Sequence, residues 1–356
     1  MDDLRAEFPV LEHYAFLNAG TCGPLARTTA QAMRAEVDQA LAEGRAGAHF
    51  ERMLALRDRQ RAAYAGVVGA RPEDVALTTS TSEGMVRVLA GLGLRAGQEI
   101  VTSDAEHPGL LGPLAAAREH LGVRVRAVPL ADVADAVGPE TALVACSHVG
   151  WLRGDLAPAA LGELEIPVLL DGAQGAGAIP VDVRALGCAF YAAAGQKWLC
   201  GPIGTGLLYV AREWQERLPA LGPTYVNLET PAEGLAARAY RDARAHDSGS
   251  ASNETLAGAV AAHDVLAAAG WDAVHVQART GAARLAELLR ERGFDVAPRA
   301  ETTLVSWSVA EPEAAKARAL EAGVIIRDLP GTPYLRASVG AWNDEGDFER
   351  LLAALD

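Results

Sequence analysis

The sequence predicts an α/β protein in which a mostly parallel, seven-stranded-type sheet is covered by helices and is followed by a smaller α+β domain. Two observations support this fold class. Seven short apolar stretches between residues 74 and 210 alternate with stretches of helical periodicity, which is typical of parallel strands joined by crossover helices. Beyond about residue 250 the pattern changes to long helices with a few short strands.

The elements of the first part follow from local periodicity. Apolar residues at helical spacing predict helices, and short apolar runs predict strands. The predicted helices cover about 25–43, 50–68, 82–92 and 109–121. The predicted strands cover 74–79, 99–104, 123–130, 142–148, 167–173, 188–194 and 204–210. This order of elements indicates a sheet with helices on both faces.

The second part begins with an Ala-rich helix over 254–270, which we expect to end at Gly270 because glycine is a common C-cap residue. Further helices are predicted over 279–293, 312–323 and 343–355, and strands over 302–309, 324–329 and 334–340. We predict a large domain over 14–254 and a small α+β domain over 255–356 that also holds residues 1–13. A chain of 356 residues, half of them hydrophobic, is long enough for two cores.

Composition narrows the class of protein. A net charge of −14 argues against binding to the phosphate backbone of nucleic acids. The first residues lack the basic and apolar regions of a signal peptide, and no apolar run is long enough to span a membrane. Four scattered cysteines without a CxxC pair indicate neither a metal site nor a disulfide framework. We therefore expect a cytoplasmic protein without nucleic-acid, membrane or metal partners.

Chemically useful side chains follow four of the predicted strands. In open α/β sheets, ligands bind at the carboxyl ends of the strands, so these positions are the first candidates for a site. Hydroxyl groups at a helix N-terminus can hold an anion, and a partly desolvated lysine is a usable nucleophile. The side chains are Thr81 and Ser82, His107, Asp171 and Lys197.

Each of these residues also has an ordinary structural explanation. Ser80 and Glu83 have the spacing of a helix capping box. A histidine before a proline can be a plain loop residue, an aspartate can cap the next turn, and a lysine can extend past a neighbouring tryptophan to solvent. Taken one at a time, the four positions leave both explanations open.

One ligand, pyridoxal 5′-phosphate (PLP), would account for all four positions together. It needs a lysine for its Schiff base, a carboxylate at its pyridinium nitrogen, an anion cradle for its phosphate and a flat group against its ring. The sequence supplies one candidate for each task, each just after a strand. A PLP enzyme is therefore the hypothesis that the residues favour, with a catalytically silent binding protein on the same fold as the alternative.

The chain resembles the class V, cysteine-desulfurase-like family of PLP-dependent aminotransferases, which have the fold-type I architecture. The resemblance runs from LNAGTCGPL to YLRASVGAWNDEGDFERLLAAL, and its most specific parts are DGAQGAGAIPVDV and GQKWLCGPIGTGLLYV. The segments SDAEHPGLLG, CSHVGWLRGDLAP and GPTYV look closest to cyst(e)ine C–S lyases. Isopenicillin-N-epimerase-like proteins are near relatives of that branch.

The resemblance implies roles at the cofactor. Lys197 would form the Schiff base and act as general base, Asp171 would hold the pyridinium nitrogen, and His107 would stack on the ring. The remaining cofactor contacts would come from Gln174 to the phenolic oxygen, from Thr81 and Ser82 to the phosphate, and from Gln196, which stands where the family usually has histidine and can still donate through its amide. Ser250 would reach the phosphate of a neighbouring subunit, which implies a homodimer.

The resemblance also implies a substrate site. Arg336 would fork onto the α-carboxylate of an amino acid, with Arg327 lining the same site. Asn18 and Ala19 lie in the small-residue segment that approaches the substrate, and Trp151 stands where many relatives have asparagine over the cofactor. Cys22 lies in the same opening segment as Asn18, and it is either a thiol at the site or an inert small residue.

The implied reaction begins with an external aldimine and removal of the Cα proton. β-Elimination at a sulfur-containing amino acid is the predicted outcome, with transamination or epimerisation as alternatives that use the same residues. A persulfide-forming cysteine desulfurase is disfavoured, because the interval DLPGTPYL between the two arginine-bearing strands holds no cysteine.

Overall fold

The structure is a computed structural model that describes residues 1–355. Its strands are β1 (Ala15–Phe16), β2 (Val75–Thr78), β3 (Glu99–Ser103), β4 (Arg124–Val128), β5 (Thr141–Ser147), β6 (Val168–Asp171), β7 (Phe190–Ala194), β8 (Gly206–Val210), β9 (Leu304–Ser308), β10 (Val324–Ile325), β11 (Arg327–Asp328) and β12 (Tyr334–Ser338). Its α-helices are α1 (Asp2–Ala6), α2 (Arg27–Glu43), α3 (Gly47–Val67), α4 (Thr81–Gly91), α5 (Pro108–Leu121), α6 (Arg212–Gln215), α7 (Asn253–Ala269), α8 (Trp271–Glu291), α9 (Pro312–Glu321) and α10 (Glu345–Leu355).

The large sheet has seven strands in the order β2-β8-β7-β6-β5-β3-β4. All neighbours are parallel except β8, which is antiparallel to both β2 and β7. Two antiparallel steps restore the strand direction, so β2 ends at the same edge of the sheet as β7. The predicted mostly parallel sheet is confirmed, and its carboxyl edge collects the segments that follow β2, β3, β5, β6 and β7.

The sheet is buried on both faces except at its edge strand β4, whose residues are exposed or half-buried. Along β5, Val144 and Cys146 belong to one apolar core, whereas Leu143 and Ala145 belong to the core on the opposite face. This arrangement is expected of a parallel sheet under two helical layers, and it explains the continuous apolar runs in the sequence. Both cores lie directly behind the carboxyl edge and hold it rigid.

The C-terminal part contains a three-stranded antiparallel sheet in the order β11-β12-β9, with α8, α9 and α10 against it. The predicted single strand 324–329 is in fact two strands, because β10 pairs in parallel with β1 while β11 pairs with β12. The predicted helix 279–293 begins earlier, at Trp271, because Val274 and Ala278 extend its buried face. Gly270 ends α7 with a positive φ of 84°, as the sequence predicted.

The N-terminal residues contact the C-terminal part. Arg5 donates hydrogen bonds to the carbonyl of Trp342 and to the carboxylate of Asp347. The division into domains over 14–254 and 255–356 stays a prediction. Within residues 1–355, every helix falls short of the length and apolar character that crossing a membrane requires.

Candidate active site

The carboxyl edge of the large sheet brings most of the sequence-predicted site residues together. The charge of Asp171 acts on Lys197, and the charges of Arg327 and Arg336 act on both Lys197 and His107. These five side chains come from segments that lie far apart in the sequence. The structure therefore forms one charged cluster from the ends of β3, β6 and β7 and from the small sheet.

Lys197 follows β7 in a tight turn. The N–H of Gly23 donates to the carbonyl of Gln196 over 2.8 Å, and the N–H of Cys200 donates to the carbonyl of Lys197 over 3.1 Å. A Cβ atom at Gly23 would lie only 2.2 Å from the carbonyl oxygen of Lys197, so the opening segment can approach the turn only as glycine. Burial lowers the pKa of Lys197 to about 8, against the opposing effect of Asp171. A substantial fraction of this amine is therefore neutral near pH 8.

The chain contains only one other lysine, Lys316. Its ammonium group forms an ion pair with the carboxylate of Asp328, at the start of the segment that joins β11 to β12. The two lysines of this protein thus lie in different environments.

Asp171 ends β6 and is 6% exposed. Its Oδ1 accepts a hydrogen bond of 2.9 Å from the N–H of Ala173, which is the turn-capping contact expected as the ordinary explanation. Burial raises the pKa of Asp171, while the charge of Lys197 and the hydrogen bond from Ala173 act against that rise. A buried carboxylate with so few partners is stabilised by a cationic N–H, which a pyridinium ring supplies.

Gln174 is held at both ends of its amide. Its Nε2 donates to the carbonyl of Gly20 over 2.8 Å, and its Oε1 accepts from the indole N–H of Trp198 over 2.9 Å. One N–H of Nε2 stays available for a ligand oxygen. Sequence reasoning found Gln174 but missed the part played by Trp198, since nothing local in the sequence indicates a contact between positions 24 residues apart.

His107 caps the start of α5, where its Nδ1 accepts from the N–H of Gly109 over 3.0 Å. Its ring meets that of Trp151 edge to face, with centroids 5.0 Å apart. Burial, helped by the charges of Lys197, Arg327 and Arg336, lowers the pKa of His107 to about 4. The imidazole is therefore neutral at pH 7 and suits a stacking role better than an ionic one.

The hydroxyls predicted to bind a phosphate lie at the start of α4. The Oγ1 of Thr81 is buried and has no hydrogen-bond partner among the described residues, and the same holds for the side-chain oxygen of Gln196. Ser80 accepts from the N–H of Glu83 as predicted, but the Glu83 carboxylate binds the N–H of Thr79 rather than completing a capping box. Ser82 lies beside Thr81 at this helix N-terminus, which is a favourable place for an anion.

Arg336 has the donors for an anion. It is fully buried, its Nη1 donates to the carbonyl of Trp151, and its Nε and Nη2 have no partner within the described part of the chain. The Oγ of Ser338 is likewise buried and unpaired. Burial, together with the charge of Arg327, lowers the pKa of Arg336 to about 9. A carboxylate that accepts from Nε and Nη2 would satisfy both donors.

The opening segment lies against this arginine. Asn18 bridges to Ser338, Ala19 is fully buried, and a Cβ at Gly20 would lie 3.0 Å from Nη2 of Arg336. The opening segment therefore packs closely against Arg336, and its predicted approach to a substrate stays a prediction.

Two further predicted residues line the outer side of the cluster. The guanidinium of Arg327 lies 5.7 Å from the ring centroid of Trp151 and donates to the hydroxyl of Thr21 over 3.3 Å. Cys22 is half-buried, and burial raises the pKa of its thiol even though Lys197 opposes the change. The thiol form is thus favoured, which does not suggest a nucleophile.

Ser250 lies outside this cluster. It is exposed, and its hydroxyl lies 2.9 Å from the hydroxyl of Tyr225. Its predicted role in a neighbouring subunit stays a prediction.

Glu106 is a buried residue of the site region that sequence reasoning missed. Its Oε1 accepts from the hydroxyl of Ser103 and from the N–H of Ser147, and its Oε2 accepts from the hydroxyl of Ser147. These hydrogen bonds connect the loop that carries His107 to the ends of β3 and β5. An acid directly before His107 was visible in the sequence, but no periodic signal marks it as buried.

A second missed network surrounds Asp247. Its carboxylate accepts from Arg57 and Arg61 of α3 and from the N–H of Leu77 in β2. The neighbouring Ser248 donates to the carboxylate of Glu83 over 2.6 Å. This cluster holds the segment before α7 against β2 and the first turn of α4.

The residues present fit the PLP that the sequence led us to expect. The amine of Lys197, the carboxylate of Asp171 and the free N–H of Gln174 match three different atoms of that group, and the unpaired Thr81 hydroxyl suits its phosphate. Among residues 1–355, no cluster of three or more His, Cys, Asp or Glu side chains could hold a metal ion.

Curated relatives match part of the chain. A probable cysteine desulfurase of Methanothermobacter thermautotrophicus is 32% identical over 235 residues, which cover 62% of this chain and 58% of that protein. An isopenicillin N epimerase of Amycolatopsis lactamdurans is 33% identical over 217 residues, which cover 55% of this chain and 54% of that protein. Each match thus spans less than two thirds of the relative's length.

Two solved structures match over almost the whole chain. One is a C-DES mutant with glycine covalently linked to its PLP cofactor, with a TM-score of 0.92 and 25% identity over 99% of this chain and 98% of that one. The other is the cystine C–S lyase C-DES with its product cysteine persulfide, again with a TM-score of 0.92 and 25% identity, over 98% of each chain. The expected fold-type I architecture is confirmed.

The family model described as aminotransferase class V matches residues 14–327, which include the segments of Lys197, Asp171 and His107. That range is well over half of the chain. The protein belongs to the class V aminotransferase family of PLP-dependent enzymes.

Proposed function

We propose that this protein is a β-eliminating lyase that cleaves a C–S bond of a cysteine- or cystine-like amino acid. The observation that carries the proposal is the likeness to the cystine C–S lyase C-DES over 98% of both chains. Support also comes from the segment between β11 and β12, which is short and holds no cysteine, so the nucleophile of a persulfide-forming desulfurase is missing there.

The side chains suggest how the reaction would be served. Arg336 would hold the substrate α-carboxylate through Nε and Nη2, its two unpaired donors. The neutral amine of Lys197 would take the proton from Cα, and Asp171 would keep its charge opposite the cofactor's ring nitrogen. Bound PLP would supply the electron sink that allows this proton to leave. His107, neutral at pH 7, would cover the ring without adding charge.

An epimerase is the second candidate. The likeness to an isopenicillin N epimerase at 33% identity favours it, and transamination is a third outcome of the same proton removal. Arg336, Lys197 and Asp171 would serve all three reactions, because they act before the reaction paths diverge. The three reactions differ in what happens to the sulfur group and the amino group of the substrate.

A product assay separates the candidates. We expect the PLP-loaded protein to release pyruvate and ammonia from cystine or cysteine, and Lys197→Ala to abolish both the product and the visible absorbance of the lysine-bound cofactor. Lys316→Arg is the matched control and is expected to keep both. A keto acid formed without ammonia would overturn the lyase in favour of a transaminase, and inversion at Cα with the sulfur retained would point to the epimerase.

We also propose a homodimer in which Ser250 contributes to the phosphate site of the other subunit. Ser250 and Tyr225 are exposed, and the exposed ring of Phe50 stacks on Tyr225 with centroids 6.3 Å apart. An apolar surface of this kind next to a polar contact is typical of a subunit interface. A cytoplasmic location, without nucleic-acid or membrane partners, belongs to the same proposal and rests on the sequence.

A further inference from the structure

The geometry points to Trp198 as a positioning residue: we infer that its indole N–H fixes the orientation of the Gln174 carboxamide toward the cofactor. The inference rests on the proposed PLP site and adds a residue to which no role has been assigned so far. Trp198 directly follows Lys197, so one turn carries both the amine and the group that orients its neighbour.

The two hydrogen bonds of Gln174 allow only one orientation of its amide. The indole of Trp198 can only donate, and the carbonyl of Gly20 can only accept. A rotated amide would place its NH₂ against the indole N–H and its oxygen against the carbonyl oxygen. Both residues are almost fully buried, at 2% and 4% exposure, so water cannot repair those contacts. The remaining N–H of Gln174 therefore has a fixed direction.

Packing alone does not explain the hydrogen bond from Trp198. Trp342 lies in the same apolar cluster and is equally buried, yet its indole N–H has no partner among the described residues. The indole N–H of Trp307, in the neighbouring core, is also unpaired. Burial of a tryptophan in this protein thus does not by itself place its indole N–H against an acceptor of the described chain, whereas Trp198 has such an acceptor on Gln174.

The same contact links the cofactor site to the substrate site. Gly20 accepts from Gln174, and a Cβ at Gly20 would lie 2.9 Å from Oε1 of Gln174 and 3.0 Å from Nη2 of Arg336. The amide of Gln174 therefore lies between the lysine turn and the substrate arginine. A change in the orientation of this amide would alter contacts both at the lysine turn and near Arg336.

The test compares two Trp→Phe variants of the full chain. Trp198→Phe keeps most of the ring volume and removes the donor to Gln174, so we expect a shifted absorbance maximum of the lysine-bound cofactor. We also expect a dissociation constant for PLP about fivefold higher, since one neutral hydrogen bond is at stake. Trp342→Phe removes an N–H that has no partner, and it should leave both quantities at the wild-type value.

A double-mutant cycle isolates the orienting effect. In a Gln174→Ala background, Trp198→Phe should cause no further change in PLP affinity. An equal fold-change in both backgrounds overturns the inference. So does a Trp198→Phe variant whose absorbance and PLP affinity stay those of the wild type, whatever its thermal stability.

Failure of the proposed function is distinguishable from failure of the inference. The proposed PLP site fails when the wild type has no absorbance that depends on Lys197. In that case the inference is tested in the cofactor-free protein by the hydrogen exchange of the Gln174 side-chain amide, measured by NMR. Faster hydrogen exchange in Trp198→Phe than in Trp342→Phe supports it, and equal exchange overturns it.

Discussion

At the scale of single residues, burial is the main influence on the side chains of the site, because it makes their charged forms less favourable. Lys197 becomes a weaker base, His107 loses its tendency to protonate, and Arg336 keeps two donors without partners. All three changes have the same physical origin, since removing water disfavours the charged form or leaves it unsatisfied. These changes favour an anionic ligand next to Arg336 and a neutral amine at Lys197.

The lowered pKa of Lys197 predicts how its reactivity depends on pH. In the cofactor-free protein the neutral fraction of the amine rises as pH increases through about 8, so labelling by an amine reagent should accelerate there and level off above about pH 9. The same shift means that the unfolded chain holds this proton to higher pH than the folded chain. The free energy of unfolding therefore gains a contribution that grows as pH rises from about 8 toward 10.4.

The measurement is labelling by trinitrobenzenesulfonate between about pH 6.5 and 11, followed by peptide mapping, so that an ordinary lysine midpoint falls within the range. Lys316, held by Asp328, is the internal reference, and Lys197→Ala gives the background. A labelling midpoint for Lys197 near the ordinary lysine value of about 10.4 would refute the prediction.

The predicted residues that follow strands converge in the structure, and there is a physical reason for it. Parallel strands end at one edge, so Asp171, His107 and Lys197 had to converge once the strands were predicted. The partners that orient them could not be predicted. Glu106 and Trp198 act through contacts between distant segments, and such contacts leave no local pattern in the sequence.

At the scale of elements, the close packing of α4 on β7 positions the hydroxyls that are predicted to bind a phosphate. A Cβ at Gly84 in α4 would come within 2.7 Å of the Cβ of Ala192 in β7, and neither atom can move without its backbone. The helix therefore sits closer to the sheet than an alanine would allow. Its first residues, Thr81 and Ser82, are held in place by that contact.

Gly84→Ala is expected to push α4 away from β7. Overpacking of this kind costs about 1–3 kcal/mol of unfolding free energy, and PLP affinity should fall as well because Thr81 moves. Urea unfolding and a PLP titration measure the two effects.

Gly66→Ala in α3 is the matched control. That position is helical and exposed, and an added Cβ would have no atom within 4 Å. It should therefore be neutral or stabilising by up to about 1 kcal/mol. The argument from close packing would fail if the two variants unfolded at the same urea concentration.

The sequence predicted which strands exist but not how every strand is divided and paired. Periodicity predicted the seven strands of the large sheet, because six of them have an apolar run that is almost entirely buried. The seventh, the edge strand β4, combines exposed arginines with half-buried valines. Periodicity did not predict that 324–329 would split between two sheets, since which strand pairs with which depends on the N-terminal strand β1, some 300 residues away. Pairing over such a distance is a property of the folded chain.

At the scale of the whole molecule, the proposed sharing of the active site makes a prediction about mixed dimers. Lys197→Ala removes the amine of its own subunit, whereas Ser250→Asp would place a negative charge at the phosphate of the other subunit. A heterodimer of the two variants would keep one site with Lys197 and an intact Ser250 from its partner. It should therefore regain about half of the wild-type activity.

The measurement uses co-expression with two different tags, tandem purification of the mixed dimer and the product assay. Each homodimer serves as an inactive reference, and doubly tagged wild type sets the full value. An inactive mixed dimer would mean that Ser250 serves its own subunit. A monomer in sedimentation would remove the shared site altogether.

The two unpaired donors of Arg336 have a practical consequence for handling the protein. Arg336 is buried and its Nε and Nη2 have no partner within residues 1–355, so a small carboxylate that binds both donors would stabilise the fold by mass action. Acetate, formate or citrate in a purification buffer would raise the melting temperature and at the same time compete with the amino-acid substrate. A buffer chosen for good thermal stability would therefore be a poor one in which to look for activity.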